Sequence, residues 1–261
     1  MADGADAADR ASASHLVLIP SYNTGARLLT TVADARRSWR PVWVVIDGST
    51  DGSGEALTKH FQGDAGVRVL RRGRNGGKGA AVLDGLREAA AEGFSHALVM
   101  DSDGQHPASS IPEFMALSRA HPSAMILGVP VFDPTAPRLR VAGRRISNAW
   151  ARLETLGAIG DSLFGFRVYP VAPLLAIMEA SRWMRGFDFD VEAAVRLSWS
   201  GVPAINRPAP VRYFRPEEGG VSHFRYGRDN LLVTAMHARL MTAFIRRLPR
   251  LVARRLRSCR H

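Results

Sequence analysis

Two carboxylates one residue apart, Asp101 and Asp103, close the apolar run His96-Ala97-Leu98-Val99-Met100. A short apolar run after Gly93 reads as a buried strand of a parallel sheet, and such sheets bind ligands at the C-terminal ends of their strands. Hard carboxylate oxygens on the following turn suit Mg²⁺ or Mn²⁺ and not zinc. A diphosphate is the natural partner of an ion held in this way. Asp-x-Asp alone does not decide, because it recurs at Asp188-Phe189-Asp190.

The elements around this turn alternate. His15 to Pro20 reads as a first strand, turned by Ser21-Tyr22-Asn23-Thr24-Gly25, and a helix-like run covers Ala26 to Ser38. Val42 to Ile46 is a second strand that ends at Asp47-Gly48-Ser49-Thr50-Asp51-Gly52. Strand, helix, strand implies a parallel pair whose polar loops meet at one sheet edge as a nucleotide cleft. Val67 to Leu70 is a third strand, after which Arg74-Asn75-Gly76-Gly77-Lys78-Gly79 opens a helix reaching about Ala91. A glycine-rich helix start attracts phosphate. It is not a Walker loop, since Gly79 follows Lys78, nor a dinucleotide fingerprint, since Val82 stands at the third glycine position. A helix from Ile111 to Ala120, a strand from Ala124 to Gly128, a helix ending near Gly201 and an edge strand or irregular return from Val202 to Tyr213 complete the pattern. Asp190 sits where it could cap that last helix, with Glu192 in its first turn.

Asp101-Ser102-Asp103-Gly104-Gln105-His106-Pro107 resembles the segment Asp-x-Asp-x-Gln-His-Pro of family 2 glycosyltransferases, in the branch of the dolichyl- and polyprenyl-phosphate sugar synthases. Pro20-Ser21-Tyr22-Asn23 and Asp47-Gly48-Ser49-Thr50-Asp51 resemble two further motifs of that family, and similar segments continue in family order over about residues 15 to 226. The resemblance implies a GT-A fold, an α/β domain on a mainly parallel sheet with helices on both faces. It implies inverting transfer of a sugar from a nucleotide sugar, with Mg²⁺ or Mn²⁺ as cofactor. By it, Pro20, Tyr22, Asn23, Asp47, Ser49, Lys78 and Asp101 bind the donor, with Asp47 at the base or ribose. Asp101, Asp103 and Gln105 hold the metal. Asp190 falls where many family members place their general base, although Phe189 replaces the usual Glu, and a phosphate acceptor needs no base. Arg144, Arg145, Arg167, Arg212, Ser222 and His223 are expected near the acceptor or its phosphate. The chain departs from the pattern at Ile46, at Gly128-Val129-Pro130, where an arginine is missing, and at His223, which stands in a lysine position.

Composition narrows the setting. A chain of 261 residues with 46% hydrophobic content can bury one substantial core. Its one cysteine, Cys259, permits no internal disulfide and fits a reducing compartment. Residues 1 to 14 carry no apolar core and read as disordered, and no stretch approaches the length needed to span a bilayer. The net charge of +11 is uneven: residues 225 to 261 hold ten arginines against Asp229, which is +9 and leaves +2 for the rest. Val233, Met236, Leu240, Phe244 and Leu248 form one stripe of a helix that Pro249 is expected to interrupt. Residues 227 to 261 therefore read as an amphipathic basic tail, suited to an anionic membrane surface or to packing on the domain. A peripheral enzyme at the inner face of the membrane, acting on a lipid-linked acceptor, is the expectation. The rivals are transfer to a soluble or hydroxyl acceptor with Asp190 as base, a sugar-nucleotide pyrophosphorylase, and a basic module without catalysis. Nucleic acid is a poor partner, since no aromatic platform interleaves the arginines.

Overall fold

In the computed structural model, residues 11–132, 138–212 and 226–258 are described. Their strands form one sheet of seven in the order β3-β2-β1-β4-β6-β5-β7. These are β1 (His15–Ser21), β2 (Val42–Asp47), β3 (Val67–Arg72), β4 (His96–Val99), β5 (Met125–Phe132), β6 (Arg167–Pro170) and β7 (Ala204–Val211). Neighbours pair in parallel except at β6, which runs antiparallel to both β4 and β5. A mainly parallel sheet follows from the βαβ alternation in the sequence. The short strand β6 is one that the sequence pattern did not mark.

Both sheet faces are covered, because the central strands are apolar on both sides. In β1, Leu16 and Leu18 enter one core while Val17 and Ile19 enter the other. Trp43 and Val45 alternate with Val44 and Ile46 in the same way on β2. The helices are α1 (Arg27–Ser38), α2 (Ser53–His60), α3 (Lys78–Ala91), α4 (Ile111–Ala120), α5 (Arg138–Glu154), α6 (Val171–Glu179), α7 (Phe189–Ser200) and α8 (Tyr226–Ser258). Leu28 and Val32 of α1, Leu57 of α2 and Phe114 of α4 pack on one face. Leu86 of α3, Leu174 of α6 and Leu197 of α7 pack on the other. The parallel strands β1, β2 and β4 end together, which brings the loops after Ser21, Asp47 and Val99 to one edge.

Two expectations change and a third is narrowed. Ser12 donates to the Arg40 carbonyl and the Ser14 carbonyl accepts from Ser95 and His96, so ordered contacts begin before His15, while residues 1–10 lie outside the described residues. Pro249 does not interrupt the C-terminal helix, since α8 continues through it to Ser258. A proline inside a helix loses one backbone hydrogen bond, and here Leu248 and Leu251 pack on the core to either side of it. Finally, packing on the domain, one of the two settings left open for the tail, is realised in α8. Met236, Leu240 and Phe244 are buried in the same core cluster as Leu16 and Val99.

Removal of the chain after Arg228 would strip those side chains from the core, so a truncation cannot be expected to leave an intact catalytic domain. Leu240→Ala should destabilise the whole domain by about 3 kcal/mol through lost burial and a residual cavity. Urea unfolding followed by far-ultraviolet dichroism measures it. A loss well below 1 kcal/mol would mean that α8 is loosely attached.

Candidate active site

At the edge where β1, β2 and β4 end, three loops are tied together by polar groups. The Asn23 amide donates to Ser49 Oγ at 3.0 Å, and Asn23 Oδ1 accepts from the Thr50 amide at 2.8 Å. Asn23 lies in the left-handed region at φ 45, which asparagine tolerates. Asp51 accepts from the Gly25 amide at 2.8 Å, closing the first two loops onto each other. Ser102, between the paired carboxylates, is held by Thr24 at 2.8 Å, and Thr24 in turn by Ser21 at 3.0 Å. Thr31 donates to the Ser102 carbonyl. No motif drew attention to Thr24 or Thr31, since lone hydroxyls carry no spacing signal. Pro20 is buried at the end of β1 and Tyr22 is half-buried just beyond it.

Lys78 is the hub. Its Nζ lies 2.5 Å from Asp101 Oδ1 and 2.6 Å from Asp190 Oδ2, joining β4's loop to the first turn of α7. Burial alone would lower the lysine pKa, but the two carboxylates outweigh it and hold the ammonium charged above its ordinary range. Burial would raise Asp101, and Lys78 and His106 reverse that and keep it ionised. Burial raises Asp190, with Lys78 opposing only in part, while its Oδ1 is buried without a partner. Asp103, half-buried and so partly desolvated, and repelled by Asp101, is pushed up to about 6.

His106 sets the orientation of Asp101. Its Nδ1 accepts from the Asp101 amide at 3.0 Å, so the proton sits on Nε2, which faces Asp101 Oδ2 at 3.5 Å. Burial lowers the imidazole to about 4, and it stays neutral between the rings of Phe164 and Phe166. Gly165 makes room for this arrangement. A Cβ there would lie 2.7 Å from Lys78 Nζ and 2.9 Å from Asp101 Oδ2.

The glycine-rich start of α3 has a different purpose from the one its composition implied. The amides of Gly76 and Gly77 donate to Asp47, and those of Gly79 and Ala80 donate to the carbonyls of Gly186 and Arg185. These donors are spent on protein, so the helix start is no open phosphate cradle. Glycine is required instead for contact: a Cβ on Gly79 would sit 2.1 Å from the Met184 carbonyl. Asp47, expected at the base or ribose, is 2% exposed and shapes the glycine loop, with Arg72 as its ion-pair partner.

Of the arginines, Arg144 pairs with Asp161 at 2.6 Å, which ties α5 to the loop before β6. Arg145 is exposed on α5 and is not brought to the centre. Arg167 is fully buried and donates to Tyr169 Oη and to the carbonyls of Asp190 and Asp161, so it braces the site from beneath and does not face an acceptor. Arg212 is exposed, with its amide on the Gln105 carbonyl. Gln105 donates its amide to Asp103 Oδ1 at 3.0 Å. Ser222 and His223, with the loop around them, lie outside the described residues. Asp190 does not cap α7, because Asp188 holds that position and turns its carboxylate back to Met184 and Gly186. Asp190 is thereby free to meet Lys78.

Among the described residues, no group of three or more His, Cys, Asp or Glu side chains could enclose a metal. A pair of carboxylates with a raised Asp103 fits a hard cation whose remaining positions are filled by diphosphate and water, as Mg²⁺ and Mn²⁺ prefer. Metal-dependent nucleotide binding should weaken as pH falls below about 6, approaching tenfold per pH unit as a proton competes at Asp103. Titration of Mn²⁺ and nucleoside diphosphate at pH 7.5 and pH 5 checks this. A flat profile would remove Asp103 from the metal.

A mainly parallel α/β sheet with a carboxylate pair at the end of a central strand is the architecture of a GT-A nucleotide-sugar transferase. The chain belongs to glycosyl transferase family 2, whose model matches residues 16–177. It is 26% identical to undecaprenyl-phosphate mannosyltransferase of Micrococcus luteus, over 74% of this chain and 81% of that protein. It is 27% identical to polyprenol monophosphomannose synthase of Mycolicibacterium smegmatis, over 79% of each. Among solved structures, glucosyl-3-phosphoglycerate synthase of Mycobacterium tuberculosis matches with a TM-score of 0.58 at 20% identity, covering 93% of this chain and 82% of that one. The same enzyme in complex with Mn²⁺, UDP and glucosyl-3-phosphoglycerate matches at 0.54. No described helix is long and apolar enough to cross a membrane.

Proposed function

We propose that the protein is a metal-dependent, inverting hexosyltransferase that moves a sugar from a nucleoside diphosphate donor to a polyprenyl phosphate at the membrane surface. The observation that carries this reading is the joining of Asp101, Lys78 and Asp190 at the C-terminal edge of the sheet, with Asp103 beside them. The two curated relatives named above, with polyprenyl-phosphate activities in their names, support the acceptor. Mn²⁺ and UDP in a structural neighbour support the cofactor class.

Asp101 and Asp103 would hold the ion, which supplies charge stabilisation for the departing diphosphate. Lys78 adds fixed positive charge beside the same group and keeps Asp101 ionised. His106 holds Asp101 in orientation through the hydrogen bond to its amide. Asn23 and Ser49 fix the loops that border the nucleotide. An acceptor phosphate is already a nucleophile, so Asp190 then serves to anchor Lys78 and not to remove a proton.

A second reading rests on one specific feature. Asp190 Oδ1 is buried without a partner and the carboxyl is raised, as suits a base awaiting a hydroxyl acceptor. Comparing Asp190→Asn with wild type on both acceptor classes separates the two. Transfer to polyprenyl phosphate that survives within about tenfold supports the phosphate acceptor. Transfer only to a hydroxyl, abolished in the variant by roughly a hundredfold or more, would make Asp190 the base.

A further inference from the structure

The apolar stripe that the sequence offers to a membrane is consumed by the fold, since Met236, Leu240 and Phe244 of α8 lie in the core. A different one is left outside. Ile245, Val252 and Leu256 recur at helical spacing on the solvent side of α8 and are 41% to 62% exposed. On α5, Ile146, Trp150 and Leu153 recur at i, i+4 and i+7 and are 43% to 65% exposed. The two stripes adjoin. The Trp150 ring stacks at 6.3 Å on His237, which bonds to Ser147 and Glu154 of α5, and Arg255 reaches the Leu156 carbonyl. Ile245 and Val252 follow His237 on the same side of α8, about two and about four turns on.

Charge identifies the occupant. From Leu231 to Leu256 the chain has six arginines and no carboxylate. Along α5 the one carboxylate, Glu154, is fully buried against His237. Arg145 and Arg152 are exposed on α5, and Arg246 and Arg250 on α8. A two-fold pairing of this face with a second copy would oppose arginines with nothing to neutralise them. An anionic lipid surface instead accepts apolar side chains at its centre and arginines at its headgroups. Resting on the polyprenyl-phosphate reading above, we infer that the α5–α8 face is a docking surface for an anionic bilayer. Arg144 and Asn148, which hold Asp161, lie on the other side of α5 from this stripe.

The test uses the full chain and vesicles of phosphatidylglycerol mixed with phosphatidylcholine, compared with phosphatidylcholine alone. Wild type should sediment with the anionic vesicles and be released by salt. The double variant Ile146→Glu/Ile245→Glu, changed only at exposed positions, should bind them at least about tenfold more weakly while binding nucleoside diphosphate normally. Brominated lipid should quench the fluorescence of a Trp183→Phe protein, in which Trp39, Trp43 and Trp199 are buried, and adding Trp150→Phe should remove most of that quenching. Equal vesicle binding by the double variant, absence of binding by wild type, or a solution dimer that the double variant dissociates would overturn the surface. Transfer to a short-chain polyprenyl phosphate in detergent is assayed separately. Vesicle binding with no such transfer would leave the surface standing and remove the acceptor reading, whereas transfer without vesicle binding would do the reverse.

Discussion

Lys78→Met should give a protein that is inactive and also markedly less stable at high pH. The lysine is the counter-charge to Asp101 and Asp190 within 2.6 Å, and its own side chain is 10% exposed. Its removal leaves two carboxylates side by side in a poorly solvated place. Breaking a buried ion pair by removing one partner costs about 3–5 kcal/mol. The variant can escape part of that cost by taking up a proton, which raises the carboxylate pKa in the folded state above its unfolded value. Such a group stabilises fully below the unfolded pKa and loses its contribution as pH rises through the folded one. The deficit relative to wild type should therefore be largest near pH 8 and shrink towards pH 5. Chemical denaturation at both values reads it. A variant as stable as wild type at pH 8 would show that Lys78 is not the counter-ion of this pair.

Asp103→Ala should be just as inactive but no less stable. Desolvation first and repulsion by Asp101 second disfavour the Asp103 charge in the absence of a cation, so its loss removes an unfavourable charge. Stability at pH 7 should stay within about 1 kcal/mol of wild type or rise. Affinity for nucleoside diphosphate in the presence of Mn²⁺ should fall roughly a hundredfold or more, because half of the protein's ligand set is gone. Calorimetric titration with and without Mn²⁺ measures it, and unchanged affinity would assign the metal elsewhere. The two substitutions together are informative. Equal losses of activity with opposite effects on stability distinguish a cation built into the fold from one that is bound.

Much of this site was legible because its residues are clustered in sequence. The carboxylate pair and the turn at Asn23 and Ser49 lie just past strand ends, and Lys78 opens the helix after β3, all places that alternation of strands and helices already marked. Asp190 was legible from its place in the family pattern, though its partner was not. The lysine that meets it is 112 residues away, and no local pattern carries that separation. For the same reason, composition misjudged the glycine run: which carbonyls would take the amides of Gly79 and Ala80 depends on where Arg185 and Gly186 fold back. Arg167 was expected near the acceptor by the family resemblance, whereas the fold surrounds it with carbonyl oxygens and Tyr169. In α8 the amphipathic period was clear, but a helix with two apolar stripes does not reveal which one the core will take.

Metal-dependent sugar transfer is tested most directly by the release of nucleoside diphosphate from a panel of nucleotide sugars incubated with the protein, Mn²⁺ and polyprenyl phosphate. One donor of the panel should be turned over, release should require both the ion and the acceptor, and chelation of the metal should stop it. Product should appear as a glycosylated lipid phosphate in equal amount. Absence of release with every donor, or release undiminished by removal of the metal and by Asp103→Ala, would contradict the assignment of Asp101 and Asp103 as the centre of a metal-dependent sugar transfer.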